Sequence, residues 1–219
     1  GRTPLEDESA ALAKATDDPA IKAALLAQAK AAGEKVTPAE LGKRAKKVLA
    51  NREIRQTLAA IEAAGGRAQY ISVDVTNPHL LSVMLEEVRE DWGPIKGVVH
   101  GAGVLADKRI SQKTREQFDL VFNTKIKGLD ALLRATEEDE LKVLCMFSSV
   151  AARCGNNGQA DYAMANEVLN KVAQAERNRR GPGCLVKSLG WGPWEGGMVS
   201  PQLKAHFEAI GVPLIPLAT

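Results

Sequence analysis

The sequence predicts an α/β fold, a doubly wound parallel sheet with helices ahead of it, and three observations carry that expectation. From residue 67 onward, short strand-like apolar runs alternate with longer helical ones, the order that lays helices across a parallel sheet. The runs are Ala68–Val73, Ile95–His100, Leu141–Phe147 and Leu185–Leu189, and Ile95–His100 is apolar enough for a central strand. Asp74, Gly101–Gly103 and Ser149 fall just past three of these runs. In such sheets ligands sit at the carboxyl ends of the strands, so these residues are expected to share one cleft.

Each element has a local reason. Residues 9–64 read as helices. Asp18-Pro19 offers an N-cap and a first-turn proline ahead of an Ala-rich run ending at Gly33. Thr37-Pro38-Ala39-Glu40 is a capping box that opens a second helix, stopped at Gly65-Gly66. One helix suffices for a βαβ crossover, so residues 6–36 are read as a helical insertion. Asn77-Pro78 caps a third helix through Trp92, Thr114–Ala135 is a fourth, and Gln159–Arg179 a fifth. No internal repeat or low-complexity linker interrupts this order.

Bulk properties exclude several classes of function. The 219 residues suffice for one sizeable α/β domain. Twenty-nine basic side chains against 27 acidic ones leave a net charge of +2, and aromatics make up only 4%, so no nucleic-acid partner is expected. Cys145, Cys154 and Cys184 have neither metal-ligand spacing nor the look of a disulfide framework, which points to a reducing, cytoplasmic setting and to no metal site. No apolar run reaches the roughly 18 residues of a membrane span. The start, GRTPLEDESA, is charged, lacks the apolar centre of a signal peptide and begins with Gly. The chain is therefore read as an excised piece.

The chemistry concentrates in residues 147–166, FSSVAARCGNNGQADYAMAN. A strand-like run delivers Ser148 and Ser149 to a Gly-rich turn, and a helix follows. Tyr162 and Asn166, four apart, share one face of that helix. A serine at a strand end facing a tyrosine on a helix can polarise a ketone and protonate it. This stretch resembles the active-site segment of ketoreductase domains in polyketide and polyunsaturated-fatty-acid synthases, a branch of the short-chain dehydrogenase/reductase superfamily. That branch reads approximately FSS-x-A-x-x-x-G-x-x-G-Q-x-x-Y-A-x-A-N. The wider superfamily has lysine where Asn166 stands. In the synthase branch the lysine comes from an earlier helix, as Lys125 does in NTKIKG. Ser149 lies 13 residues before Tyr162 and Lys125 lies 24 before Ser149, the spacings of the branch, which selects Ser149 over Ser148.

The resemblance implies a Rossmann-type core over residues 67–198, a lid helix over 199–210, and NADPH-dependent reduction of a 3-oxoacyl group carried by an acyl carrier protein. Other domains of the same synthase are the further partners it implies. Tyr162 would donate the proton, Lys125 would ease its release, Ser149 would hold the carbonyl oxygen, and Asn166 would orient the lysine or a water. For the cofactor it implies Arg2 at the 2′-phosphate, Asp74 and Val75 around the adenine, Gly101, Ala102 and Gly103 beside the nicotinamide ribose, with Lys125 and Pro193 also in contact. A guanidinium suits a phosphate, and small residues let a cofactor approach the backbone. His100 is read as a packed strand-end residue. WGPWEGGM (191–198) would close over nicotinamide and substrate, bringing Trp194 and Met198 to the substrate side, though loop packing accounts equally well for Trp191 and Trp194. Val104-Leu105-Ala106-Asp107 keeps the final aspartate of the L-x-D motif that marks D-alcohol (3R) formers. The opposite class carries tryptophan where Cys154 stands.

One departure stands out: no T-G-G-x-x-G-x-G phosphate loop occurs in the 219 residues. The family places it before the second strand, so the segment is expected to be N-terminally truncated and to hold NADPH weakly by itself. Two rival readings are a free-standing short-chain dehydrogenase, opposed by Asn166, and a non-catalytic structural subdomain, opposed by the presence of Lys125, Ser149, Tyr162 and Asn166 together.

Overall fold

Local caps start most of the helices in the computed structural model, which describes residues 1–196, 199, 201–209 and 211–217. The chain divides into two compact units, Gly1–Asp74 and Val75–Thr219.

The first unit holds α1 (Ala10–Ala13), α2 (Asp18–Ala31) and α3 (Pro38–Ala63). Thr37 and Glu40 form the expected capping box on α3. On α2 the cap is Asp17, whose carboxylate accepts the Ala20 N–H at 2.8 Å, and Asp18 is already helical. This corrects the Asp18 cap by one residue. Either aspartate can cap, and Pro19 fits either of the first two helical positions. Starting at Asp18 puts Ile21, Leu25 and Ala29 on one buried stripe. Leu12, Ala15, Ile21, Leu25 and Ala45 form the core of this unit.

Polar side chains tie the strap before α1 to α3. The Arg52 guanidinium grips the Glu8 carboxylate at 2.7 Å and donates to the Leu12 and Ala15 carbonyls, each at 2.6 Å. Asn51 is buried, accepting the Glu6 N–H at 2.7 Å and donating to the Pro4 carbonyl at 3.1 Å. The expected strand Ala68–Val73 does not form as a strand. Gly1 donates to the Ile71 carbonyl at 3.0 Å and accepts the Val73 N–H at 2.7 Å, a parallel contact one residue long. A strand exists only with a hydrogen-bonded neighbour along its length, and composition cannot supply one.

The second unit holds α4 (Pro78–Trp92), β1 (Gly97–His100), α5 (Arg115–Ala135), β2 (Val143–Ser149), α6 (Ala151–Cys154), α7 (Ala160–Arg180), β3 (Leu185–Trp191) and α8 (Pro201–Ala209). The sheet is parallel, ordered β1-β2-β3, with His100 opposite Met146 and Met146 opposite Ser188. The register brings the three carboxyl ends together. Helix α7 packs on β2 and β3, α5 packs on α7, and α4 on α5. Val98, Leu129, Leu144, Met146, Leu169, Ala173 and Val186 bury themselves in that layer. Each fully buried Leu or Met contributes roughly 1.5–3 kcal/mol. Alternation along the strands turns Val99, Val143, Phe147 and Leu185 to the other face, where they are exposed.

Two boundaries are tighter than the sequence predicts. β1 begins at Gly97 rather than Ile95, and the last helix begins at Pro201, with Val199 outside it. No helix among the described residues is long and apolar enough to cross a membrane.

Candidate active site

Lys125 sits in the middle of α5, on the face turned toward α7, and is only 4% exposed. Its ammonium donates to the Phe147 carbonyl at 2.9 Å and stands 5.6 Å from the centroid of the Tyr162 ring. Burial lowers its pKa from 10.5 to about 8. The helix approaches the strands closely because Gly128 has no side chain. A Cβ there would lie 3.0 Å from Val75 and 3.3 Å from the His100 ring. His100 is buried at the end of β1, and its Nε2–H donates to the Lys125 carbonyl at 2.8 Å. Burial pushes this imidazole down to about 4, so it is neutral and Nδ1 carries no proton. Nδ1 is also without a hydrogen-bond partner. The histidine braces the backbone of the lysine.

The two serines of β2 have different surroundings. Ser148 is buried and donates to the Asn166 carbonyl at 3.1 Å. Ser149 is half-buried, and its Oγ accepts the Ala151 N–H at 3.1 Å, which leaves the hydroxyl proton free to point elsewhere. Tyr162 and Asn166 lie one turn apart on α7. Asn166 is fully buried and its Nδ2 donates to the Tyr162 carbonyl at 2.8 Å, while Oδ1 has no partner. The amide therefore holds the backbone of the tyrosine, whereas the lysine is held by Phe147; the expected orientation of Lys125 by Asn166 is not made as a direct bond.

Gly101, Ala102 and Gly103 follow β1 directly, exposed or half-buried, and place no bulky side chain at its end. At the end of β3, Trp191 stacks edge-on against Phe147 at 5.7 Å and against Trp194 at 5.0 Å. The Pro193 carbonyl accepts the Ile215 N–H at 2.8 Å, so this turn is paired with the segment after α8. Met198 lies outside the described residues. Arg2 and Asp74 belong to the first unit, whereas Val75 and the remaining site candidates belong to the second. The small residues after β1, the buried ammonium and the proline turn after β3 suit the nicotinamide end of a dinucleotide.

Sequence reasoning missed three polar residues beside these. The Asp107 carboxylate accepts from Gln159 Nε2 at 2.8 Å, and Gln159 is itself buried. Lys113 and Asp161 form an ion pair at 2.7 Å that is almost wholly buried. Asp161 carried a readable signal: it occupies the same stripe of α7 as the buried Ala165, Leu169 and Ala173, where a charge needs a partner.

The three-stranded parallel layer with helices packed on it has the fold of the short-chain dehydrogenases/reductases. A dehydrogenase of that type from Brucella melitensis, 21% identical, superposes with a TM-score of 0.65 over 74% of this chain and 70% of that one. Residues 25–196 match the family model described as the KR domain, and the chain belongs to that family of oxidoreductases. It is 44% identical over 92% of its length to a polyunsaturated fatty acid synthase polypeptide of Thraustochytrium sp., and 36% identical over 68% to the polyketide synthase PksN of Bacillus subtilis. It spans only 7% and 3% of those two relatives. A ketoreductase domain from the bacillaene assembly line, 32% identical, superposes with a TM-score of 0.66 over 74% of this chain and 40% of that structure.

Proposed function

We propose that this chain is the catalytic segment of an NADPH-dependent ketoreductase that reduces a 3-oxoacyl group on an acyl carrier protein to the D-configured (3R) 3-hydroxyacyl product. It works in the cytoplasm beside other domains of a multidomain synthase, and its likeness to the Thraustochytrium polypeptide favours a polyunsaturated-fatty-acid synthase. In this reading residues 6–36 are an insertion and the helix after residue 199 is a lid.

The observation that carries the proposal is the buried Lys125 ammonium, 5.6 Å from the Tyr162 ring and bonded to the strand that ends in Ser149. When bound, the nicotinamide cofactor supplies the hydride. Ser149, its oxygen already accepting a backbone N–H, directs its proton to the carbonyl oxygen and steadies the charge that develops there. Tyr162 gives its proton to the forming alkoxide, and the ammonium of Lys125 compensates the phenolate left behind. Asn166 holds the helix turn of the tyrosine, with Oδ1 available to accept from a water in the proton path. Gly101, Ala102, Gly103, Lys125 and Pro193 are the residues for the nicotinamide end, and Val75, with Asp74, for the adenine. Arg2 and Asp74 enter on sequence resemblance alone, Arg2 as the reader of the 2′-phosphate. Asp107 and Trp194 are assigned to substrate orientation.

The test is Tyr162→Phe in the intact protein. Reduction of a 3-oxoacyl thioester, followed by NADPH absorbance, is expected to slow by about 10²- to 10⁴-fold, the usual contribution of a positioned proton donor. NADPH affinity, read by fluorescence titration, stays the same. Undiminished turnover refutes the assignment. Arg2→Ala is expected to erase the preference for NADPH over NADH; a retained preference removes Arg2 from the 2′-phosphate.

A further inference from the structure

The Lys113–Asp161 pair serves none of the roles above, yet it lies beside two of them. The two side chains are only 6% and 1% exposed. Charges so deeply buried persist only when paired and hydrogen-bonded, and this pair is both. Asp161 Oδ2 accepts from Lys113 Nζ, and Oδ1 accepts the backbone N–H of Tyr162 at 2.9 Å. The carboxylate also sits in the first turn of α7, a 21-residue helix whose dipole favours negative charge there. Lys113 spends a second proton on the Ala106 carbonyl at 2.9 Å.

Ala106 immediately precedes Asp107. The same short loop is held at two further points, by Gln159 Nε2 on Asp107 Oδ2 and by the Lys108 N–H on the Gly158 carbonyl at 3.0 Å. Asp107 and Lys108 are thus bonded directly to Gln159 and Gly158, and Ala106 is joined to Asp161 through Lys113. Lys113 is the one side chain among these contacts that bonds both the loop and the residue next to the tyrosine.

We propose that Lys113 and Asp161 are positioning residues, which lock the loop carrying Asp107 to the first turn of the Tyr162 helix and so set the direction from which a ketone meets the tyrosine hydroxyl. This rests on the reading of Tyr162 as proton donor. If the lock fails, loop and tyrosine no longer move as one body. Proton transfer then slows, and the face of the ketone presented to the hydride is less strictly chosen.

The decisive variant is Lys113→Met/Asp161→Leu, made in the intact protein. Replacing both members of a buried pair by apolar groups of similar volume leaves stability near its original level, whereas removing one strands a buried charge. The double variant is expected to keep its melting temperature and NADPH affinity. Its kcat on a 3-oxoacyl thioester falls by about 10- to 100-fold, the effect of misplacing a reacting group by a fraction of an ångström to one ångström. Chiral chromatography shows a mixture of 3-hydroxy products where the unaltered protein makes one. Lys113→Arg, which can bond both partners, restores kcat and product purity. If the double variant does not fold, Asp161→Asn, which still accepts the Tyr162 N–H but releases the lysine, is read by the same kcat and product ratio. Unchanged kcat and product ratio in a folded variant overturns the proposal and leaves the pair as a structural brace. If the unaltered protein itself reduces no 3-oxoacyl thioester, the reading of Tyr162 falls and this proposal with it.

Discussion

Both units carry exposed ion pairs, but among the described residues the second also buries charged side chains almost completely. In Gly1–Asp74, ion pairs such as Lys22–Asp18, Lys47–Glu6 and Arg44–Glu34 lie at the surface, with both members about half-exposed. Pairs of this kind are worth little. The unit is secured instead by alanine-rich helix packing and by two α3 side chains, Asn51 and Arg52, that bond backbone groups of the preceding strap and of α1. In Val75–Thr219, Lys125, His100, Asp161 and Lys113 are buried, each with a specific backbone or side-chain partner. Burying a charge costs free energy that a surface pair never incurs. Asp139 and Glu176 are buried against arginines away from the strand ends, whereas Lys125, Lys113 and Asp161 are buried beside Tyr162, so it is the buried lysines that mark the candidate site.

That contrast can be broken by mutation, and the size of the expected effects orders the tests. Leu169→Ala strikes the packed layer under α7, where the side chain is fully buried. It is expected to cost roughly 2–5 kcal/mol, seen as faster amide exchange in α5, α7 and β2, with the amides of α2 and α3 unaffected. Equal exchange in both units would erase the distinction.

The buried lysine gives the next effect. Its pKa is about 8 in the fold against an ordinary 10.5, so between those values the unfolded chain binds the proton and the folded chain does not. Stability therefore rises with pH across that window, by roughly 3 kcal/mol in all. In the proposed mechanism the ammonium is the useful form, so kcat/KM is expected to run the other way and fall as pH rises through about 8. Lys125→Met should remove the alkaline gain in stability, measured by denaturant titration at several pH values. A gain that persists in Lys125→Met assigns it elsewhere.

Arg52→Ala tests the first unit and is the smallest of the three. Losing the charge-assisted bonds to Glu8, Leu12 and Ala15 is expected to cost roughly 1.5–3 kcal/mol. Amide exchange should quicken in α1 to α3 while ketone reduction is unchanged. A loss of turnover would show that the polar network of the first unit also serves the chemistry.

What the sequence determined by itself is whatever one helical turn or one strand end can write. The capping box Thr37–Glu40 and the Asn77 cap are contacts across three residues, so the local sequence alone reveals them, whereas the box Thr114–Gln117 was seen only in the fold. The same range explains why the α2 cap was legible only to within a residue: Asp17 and Asp18 are chemically equal, and burial of Ile21 and Leu25 chose between them. Lys125, Ser149, Tyr162 and Asn166 were singled out by their resemblance to the ketoreductase pattern and its spacing. What only the tertiary structure decided is what those residues are joined to. Ala68–Val73 has the composition of a strand but forms none: Gly1 bonds Ile71 and Val73, and one residue does not make a ladder. Lys113 looks like any lysine before a helix until the fold sets it against Asp161, 48 residues away. The lowered pKa of Lys125 likewise has no counterpart in its neighbours along the chain, because desolvation depends on what surrounds a group in space.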